Sequence, residues 1–454
     1  LEVFDSYRKI FKHAPEYERH WNRMHGWLTL AHVCQKWRRI VLASPSRLDL
    51  CISVIGKNPG NMKAMLSPRL PRLPIFVDYH WPGGSTPKDV NRLLIALRHR
   101  DRLRGIVFPF QGLYGPIKKV LKEMKRPFPV LETLEFHNEY RRGPGSKFQL
   151  GSAPRLRCLK VEFVPFGSLA QLLSSSTMLV KLSLDIEISS RVSLLPYLQA
   201  MPHLRSLVLQ LIPPIRDDVA PDTNTADIDI VTLSELTLFH FYGHAAVLDT
   251  LVAGMAAPSL QDLHIRFTGG AIASPFRHLS RFTTEIEMRC HACQLLFSKE
   301  SFRLSLITDS KFITTTVPDF KIYSKNITHV SEVLSPKLDA VEDLLLFCGR
   351  KEPPSVSWQS FLWQFRSLKV LMVEHRIIFD VANSLRSEEV PDLLPTLEEI
   401  QLCLTSQPPT SSTPERYRAE MEAFQPFVAV YQRAGRSVNV TRGPSHFPTY
   451  FNDT

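Results

Sequence analysis

Along most of the chain, apolar residues follow one six-residue pattern, apolar-x-x-apolar-x-apolar. It begins at Leu103/Ile106/Phe108 and Leu131/Leu134/Phe136, and continues through Leu156/Leu159/Val161, Leu179/Leu182/Leu184 and Leu204/Leu207/Leu209. It then runs through Leu233/Leu236/Leu238, Leu260/Leu263/Ile265, Val341/Leu344/Leu346, Leu368/Leu371/Val373 and Leu397/Ile400/Leu402. Successive first positions lie 28, 25, 23, 25, 29 and 27 residues apart, then 81, then 27 and 29. The last two apolar positions of each unit are two apart, the period of a strand with one buried face. The gap of 81 is three average periods, so two degenerate units are expected inside it, with Ile286/Met288 and Leu304/Leu306 as candidates. Several units open on proline, as in Ala153-Pro-Arg-Leu, Met201-Pro-His-Leu, Ala257-Pro-Ser-Leu and Leu394-Pro-Thr-Leu, where the fixed φ of proline sets the approach to the strand.

Other stretches read as ordinary elements. Arg47 to Val54 and Ile75 to Tyr79 alternate as strands, whereas Asp89 to His99 has helical spacing with an acid in its first turn. Phe166 to Leu173 and Ala245 to Met255 are expected to be helices returning the chain between strands. Arg416 to Arg433 carries an apolar stripe and ends before Gly435, a C-cap residue, as expected of a helix capping the last repeat. Near the start, Leu28 to Leu42 places Leu30, Val33, Cys34, Trp37, Ile40 and Val41 on one helical face, with Gln35, Lys36, Arg38 and Arg39 on the other. Ser44-Pro45 ends it.

Two resemblances follow from these residues. Repetition of the six-residue pattern at this spacing resembles the leucine-rich repeat, in which each unit supplies one short strand and neighbouring units stack into a common core. The asparagine usual at the ninth position is missing, being Val164 in one unit and Glu187 in another, so the repeats are expected to be irregular. Leu1-x-Val3-Phe4 followed by Leu30-x-x-Val33-Cys34-x-x-Trp37-Arg38 resembles the F-box, the helical module that docks substrate receptors on the Skp adaptor of cullin–RING ubiquitin ligases.

The expected fold is α/β. A small helical F-box-like head (1–50) leads through connecting strands and a helix (51–100) into an irregular leucine-rich solenoid (101–404), closed by a loop and a C-terminal capping helix (405–454).

The resemblance implies a substrate-recognition subunit without catalytic activity. Val3, Phe4, Leu30, Val33, Cys34, Trp37 and Ile40 would meet a Skp-type adaptor, and through it a cullin. Strand alternation sends other residues to the face opposite the core, where a protein substrate would lie. The candidates are His137, Lys160, Asp185, Gln210, Phe239, Arg266, Phe347, Met372 and Glu374. Outward Phe239, Phe347 and Met372 would either anchor a partner or lie under a neighbouring loop. The alternative is a leucine-rich protein-binding scaffold with no role in ubiquitin transfer.

Charge and composition change this picture only in part. The net charge of +11 is uneven: residues 1–150 hold 27 Lys+Arg against 12 Asp+Glu, and the remainder 28 against 32. A basic first third suits an acidic protein such as a Skp adaptor, or is merely a solvated surface. Nucleic-acid binding through it would need the aromatics that single-strand binders interleave with basic residues, and these are lacking.

Seven scattered cysteines fit free thiols in a reducing compartment, and no apolar run is long enough to span a membrane, so a cytoplasmic or nuclear location is expected. Cys290-His-Ala-Cys293 has no second ligand pair beside it for structural zinc. His240 and His244 lack the adjacent glutamate of a zinc protease, and Gly143-Pro-Gly-Ser-Lys147 lacks P-loop spacing. No catalytic residues, metal or cofactor are therefore expected.

Overall fold

The computed structural model describes residues 33–43, 52–53, 74–78, 87–109, 117–137, 149–164, 166–187, 194–212, 230–268, 276–286, 290–297, 301–308, 312–318, 323–348, 356–386, 392, 394–403 and 414–442. The chain divides into two compact units, one of residues 1–192 with 196–206 and one of 193–195 with 207–454. Both are α/β, and their strands are mostly parallel.

In the first unit, β1 (Ile52–Ser53), β2 (Ile75–Asp78), β3 (Leu103–Pro109), β4 (Thr133–His137), β5 (Cys158–Glu162) and β6 (Lys181–Glu187) pair in sequence order, all parallel. Parallel neighbours need a crossover. Among those described are α2 (Pro87–Leu97), α3 (Ile117–Met124) and a 3-10 turn at Phe166–Ser168 leading into α4 (Ala170–Ser175), whereas α1 (Gln35–Ala43) precedes all the strands. Leu103, Ile106, Leu134, Phe136, Leu159, Val161, Leu182 and Leu184 are all buried, as the repeat requires. β2 slips register against β3 where Phe76 pairs with Gly105. The Phe76 ring occupies the space a side chain at 105 would need, 2.0 Å from an ideal Cβ, so only glycine fits there.

Two local devices make the repeat. The first is a turn: the carbonyls of Ala153, Met201, Ala257 and Leu394 accept the N–H three residues on, from Leu156 (3.0 Å), Leu204 (3.2 Å), Leu260 (3.2 Å) and Leu397 (3.3 Å). Proline is the second residue of each, where its φ suits a β-turn. The second is a shared carbonyl. Glu132 O accepts N–H from both Arg157 and Cys158, Arg157 O from Val180 and Lys181, and Val180 O from Arg205 and Ser206. Within the second unit, Thr237 O, His291 O, Glu342 O and Lys369 O do the same. Backbone groups alone thus join neighbouring strands at their starts.

The second unit departs from sequential order. Its strands are β7 (Ser206–Ile212), β9 (Leu238–Gly243), β11 (Asp262–Phe267), β12 (Ala292–Phe297), β13 (Ser301–Ile307), β14 (Phe312–Pro318), β15 (Asp343–Cys348), β16 (Val370–Glu374), β17 (Glu399–Cys403) and β18 (Asn439–Arg442). They lie in the order β7-β9-β11-β14-β13-β12-β15-β16-β17-β18, while β8 (Val231–Thr232) pairs with β10 (Met255–Ala256) in a separate small sheet. The gap of 81 therefore holds three strands and not two degenerate parallel units. β13, which carries Leu304 and Leu306, runs antiparallel to both β12 and β14. Three and four residues join these strands, too few for a parallel crossover, so the chain must fold back on itself. Ile286 is buried at the end of α7 (Arg277–Glu285), and Met288 lies outside the described residues.

Helices cover one face of this unit's sheet. Phe239 meets Phe282 of α7 edge-on at 6.1 Å, Phe267 stacks on Phe276 at 5.3 Å, and Phe297 meets Trp358 of α9 (Trp358–Leu362) at 5.9 Å. α5 (Leu195–Gln199) precedes β7, and α6 (Ala245–Ala253), α8 (Tyr323–Leu338) and α10 (Ile378–Ser384) complete the described crossovers. The expected helix over 416–433 is two, α11 (Pro414–Ala423) and α12 (Gln425–Arg433), because Pro426 has no N–H for the carbonyl four residues back and sits instead in the first turn of a new helix. α12 ends at Gly435 with φ +75°, where Gly435 N–H bonds Gln432 O and Arg436 N–H bonds Tyr431 O, the paired bonds of a Schellman cap. β18 then extends the sheet beyond β17.

Candidate functional site

Two surfaces carry the candidate residues. The first is α1. Val33 (58%) and Ile40 (40%) are solvent-exposed, Cys34 is exposed and Trp37 is half-buried. The Cys34 sulfur accepts the Trp37 N–H at 3.4 Å, which fixes the helix start. Val3, Phe4 and Leu30 lie outside the described residues.

The second surface is the sheet face turned away from the helices. In the first unit it carries Glu135, Lys160 and Ser183 side by side, with Glu162 and Asp185 paired in the next row. Lys160 Nζ lies 3.4 Å from Glu162 Oε1, and Glu135 and Asp185 leave these two rows acidic. His137 ends β4, and Gln210 of β7 in the second unit is half-buried.

One expected position is overturned. Phe239 does not face outward; it is fully buried, and Leu238 and His240 flank it on the outer face. The turn decides this. In the sixth unit the i-to-i+3 bond runs from Leu236 N–H to Leu233 O (3.1 Å), so Leu236 and not Leu233 is the first repeat position. The strand then reads Leu236/Phe239/Phe241, three residues later than expected, and Phe239 pairs in register with buried Leu263.

Glu374 needs a second correction. It alternates outward as expected, but it is fully buried. His375 Nδ1 lies 2.6 Å from its Oε1 and Arg376 N–H donates to Oε2 at 3.3 Å, so its charge is answered within the chain and is closed to a substrate. Phe347 and Met372 remain half-buried on the outer face, with Leu345 between them fully buried.

Strand register assembles a polar patch across β9, β11, β14 and β13. One row runs His240–His264–Thr314–Ser305, and the next Tyr242–Arg266–Thr316–Arg303. His240 Nε2 lies 3.1 Å from Asp262 Oδ2, and its ring is 5.3 Å from that of His264. The Arg266 guanidinium lies over the Tyr242 ring at 5.1 Å. Burial pushes the His264 imidazole below its ordinary value; neighbouring His240, Arg303 and Arg266 add to this and Asp262 opposes it.

Beneath these side chains lie three hydroxyls. Thr314 donates to Ser305 Oγ at 3.3 Å, while the Thr316 Oγ1 is buried with no hydrogen-bond partner among the described residues. A buried hydroxyl left in that state costs roughly 1–3 kcal/mol. Of the patch, the sequence singled out Arg266 as an outward residue, and noted His240 beside His244. Arg303, Ser305, Thr314 and Thr316 belong to the hairpin strands in the gap of 81, which no repeat frame could place.

Cys290 and Cys293 are buried, and burial raises the Cys290 thiol to about 11 and the Cys293 thiol still further, which disfavours the thiolates a metal would need. Among the described residues no three His, Cys, Asp or Glu side chains converge as metal ligands, and no helix is long and apolar enough to cross a membrane. No family model matches the chain, and no curated protein matches it significantly.

Proposed function

We propose that the chain is the substrate-recognition subunit of a cullin–RING ubiquitin ligase. In this reading it is an F-box-like head followed by an irregular leucine-rich solenoid. The head binds a Skp-type adaptor, and the helix-free face of the sheet holds a protein substrate. The observation that carries the reading is α1: the residues of its Val-Cys-x-x-Trp-Arg motif stand at the surface, with apolar Val33 and Ile40 open to solvent beside Lys36 and Arg38. Exposed apolar side chains flanked by cations suit an acidic partner with an apolar groove.

The test is binding of the full chain to a purified Skp-type adaptor. Val33→Ala/Ile40→Ala and Lys36→Glu/Arg38→Glu alter exposed positions and should leave the unfolding temperature unchanged while weakening binding at least about tenfold. Absence of binding by the unaltered chain would overturn the ligase reading in favour of a protein-binding scaffold.

A further inference from the structure

A cleft of about 460 Å³ opens in the helix layer of the second unit, between α7, α8 and the turn that follows α9. We propose that this cleft binds a linear polyamine, an aliphatic chain with an ammonium group at each end. The inference needs nothing from the adaptor reading, since α1 takes no part in it.

Helical spacing shapes one wall. Glu332, Pro336 and Asp339 line the cleft at i, i+4 and i+7. Asp339 N–H bonds Ser335 O at 3.1 Å, so the helical course of α8 runs on through Asp339. At 1.5 Å per residue the two acids start about 10 Å apart on one face, with the proline between them. Neither carboxylate has an ion pair or a side-chain hydrogen bond among the described residues. The facing wall is built from the turn after α9. Trp363 is 47% exposed there, and its neighbour Gln364 is tied across to α8, its Nε2 donating to Ser331 Oγ at 2.8 Å. Both walls are therefore in place before a ligand arrives, which lowers the cost of binding one.

The separation of the acids decides the form of the ligand. A single ammonium or guanidinium meets one of them and leaves the other alone. A metal ion needs further ligands, and among the described residues no third His, Cys, Asp or Glu joins the pair. An aliphatic chain with an ammonium at each end reaches both. Its methylenes can pass over the Pro336 ring, and its cations gain from the Trp363 face as well as from the carboxylates.

Among the residues lining the cleft, Arg366 carries the one opposing charge. Its guanidinium lies 5.6 Å from the centroid of the Trp363 ring and pairs with neither acid, so both stay open and outnumber it. Diffuse attraction is not at work, because a chain of net charge +11 repels polycations as a whole. Polyamine binding would therefore be a property of the cleft.

The experiment titrates the full chain with spermidine, followed by tryptophan fluorescence and calorimetry, with propylamine and magnesium chloride at matched ionic strength as controls. The expected result is saturable binding of one spermidine per chain with a fluorescence change, neither of which the controls produce. Glu332→Gln and Asp339→Asn should each weaken binding about fivefold or more, and Trp363→Leu should abolish the fluorescence change. Arg366→Gln should tighten binding by removing the opposing charge. All four positions are exposed, so these variants should unfold with the parent, which separates lost binding from lost folding. Absence of saturable binding, or binding that both acid variants retain in full, would overturn the site. An equal response to propylamine would overturn the two-ended ligand, and an equal response to magnesium would reduce the effect to charge screening.

Discussion

The strands from β3 to β6 and those from β12 to β14 solve the same packing problem differently. In the first run β5 and β6 each begin from a shared carbonyl, and the described crossovers return the chain for the next parallel strand. In the second the chain turns back after three or four residues, and neighbours run antiparallel. The helix-facing side is alike in both, apolar and buried. Their outer faces differ. On the regular run Lys160 stands among Glu135, Glu162 and Asp185, while the hairpin gathers Arg303, Ser305, Thr314 and Thr316 beside Arg266. Regular stacking fixes a core, and interrupting it brings residues distant in the repeat frame onto one patch.

The sharpest way to break this comparison is at Phe239. If the turn sets the frame, Phe239→Ala removes a fully buried ring and should cost about 3–5 kcal/mol in denaturant unfolding, with Leu238→Ala below about 1.5. Equal costs would mean that the frame begins at Leu233 after all. At Gly105→Ala, the new methyl would meet the Phe76 ring, and the loss should be roughly 1–3 kcal/mol, recovered largely in a Phe76→Ala background. Gly435→Ala tests the cap at φ +75° and should cost about 1 kcal/mol. Replacing a turn proline, as in Pro154→Ala, should cost about 0.4–1 kcal/mol through the unfolded chain.

The smallest effect is one of pH, and it belongs to the hairpin side. The folded His264 is harder to protonate than the unfolded one, so below its ordinary midpoint near 6.5 the unfolded chain binds more protons. Stability from this source is present above that pH and declines as pH falls through about 6.5 toward the lower folded value. Unfolding curves should therefore lose part of their acid sensitivity in His264→Gln.

Most of the repeat was readable because burial tolerates almost any aliphatic residue but demands its period. Leu131, Leu156, Leu179, Leu204, Leu260, Leu368 and Leu397 are all buried, as expected of the first repeat positions. The sixth unit misled because Leu233/Leu236/Leu238 and Leu236/Phe239/Phe241 fit the pattern equally, and Ser234 stands where a proline would have marked the turn. The hairpin was hidden for another reason: antiparallel and parallel strands share a period of two, so Leu304 and Leu306 announce a buried face but not a direction. Thr314 and Thr316 were silent in isolation, since a threonine at the surface means little until register sets it between two arginines.

The carbonyls that each accept two N–H groups have one more consequence. Glu132, Arg157 and Val180 in one unit, and Glu342 and Lys369 in the other, present the same backbone junction, which needs no particular side chain to form. A segment of 23 to 27 residues cut out between two such carbonyls leaves ends whose backbone hydrogen bonds already match. Chain length is therefore a quantity that duplication and deletion can adjust in whole steps, without inventing new contacts at the join.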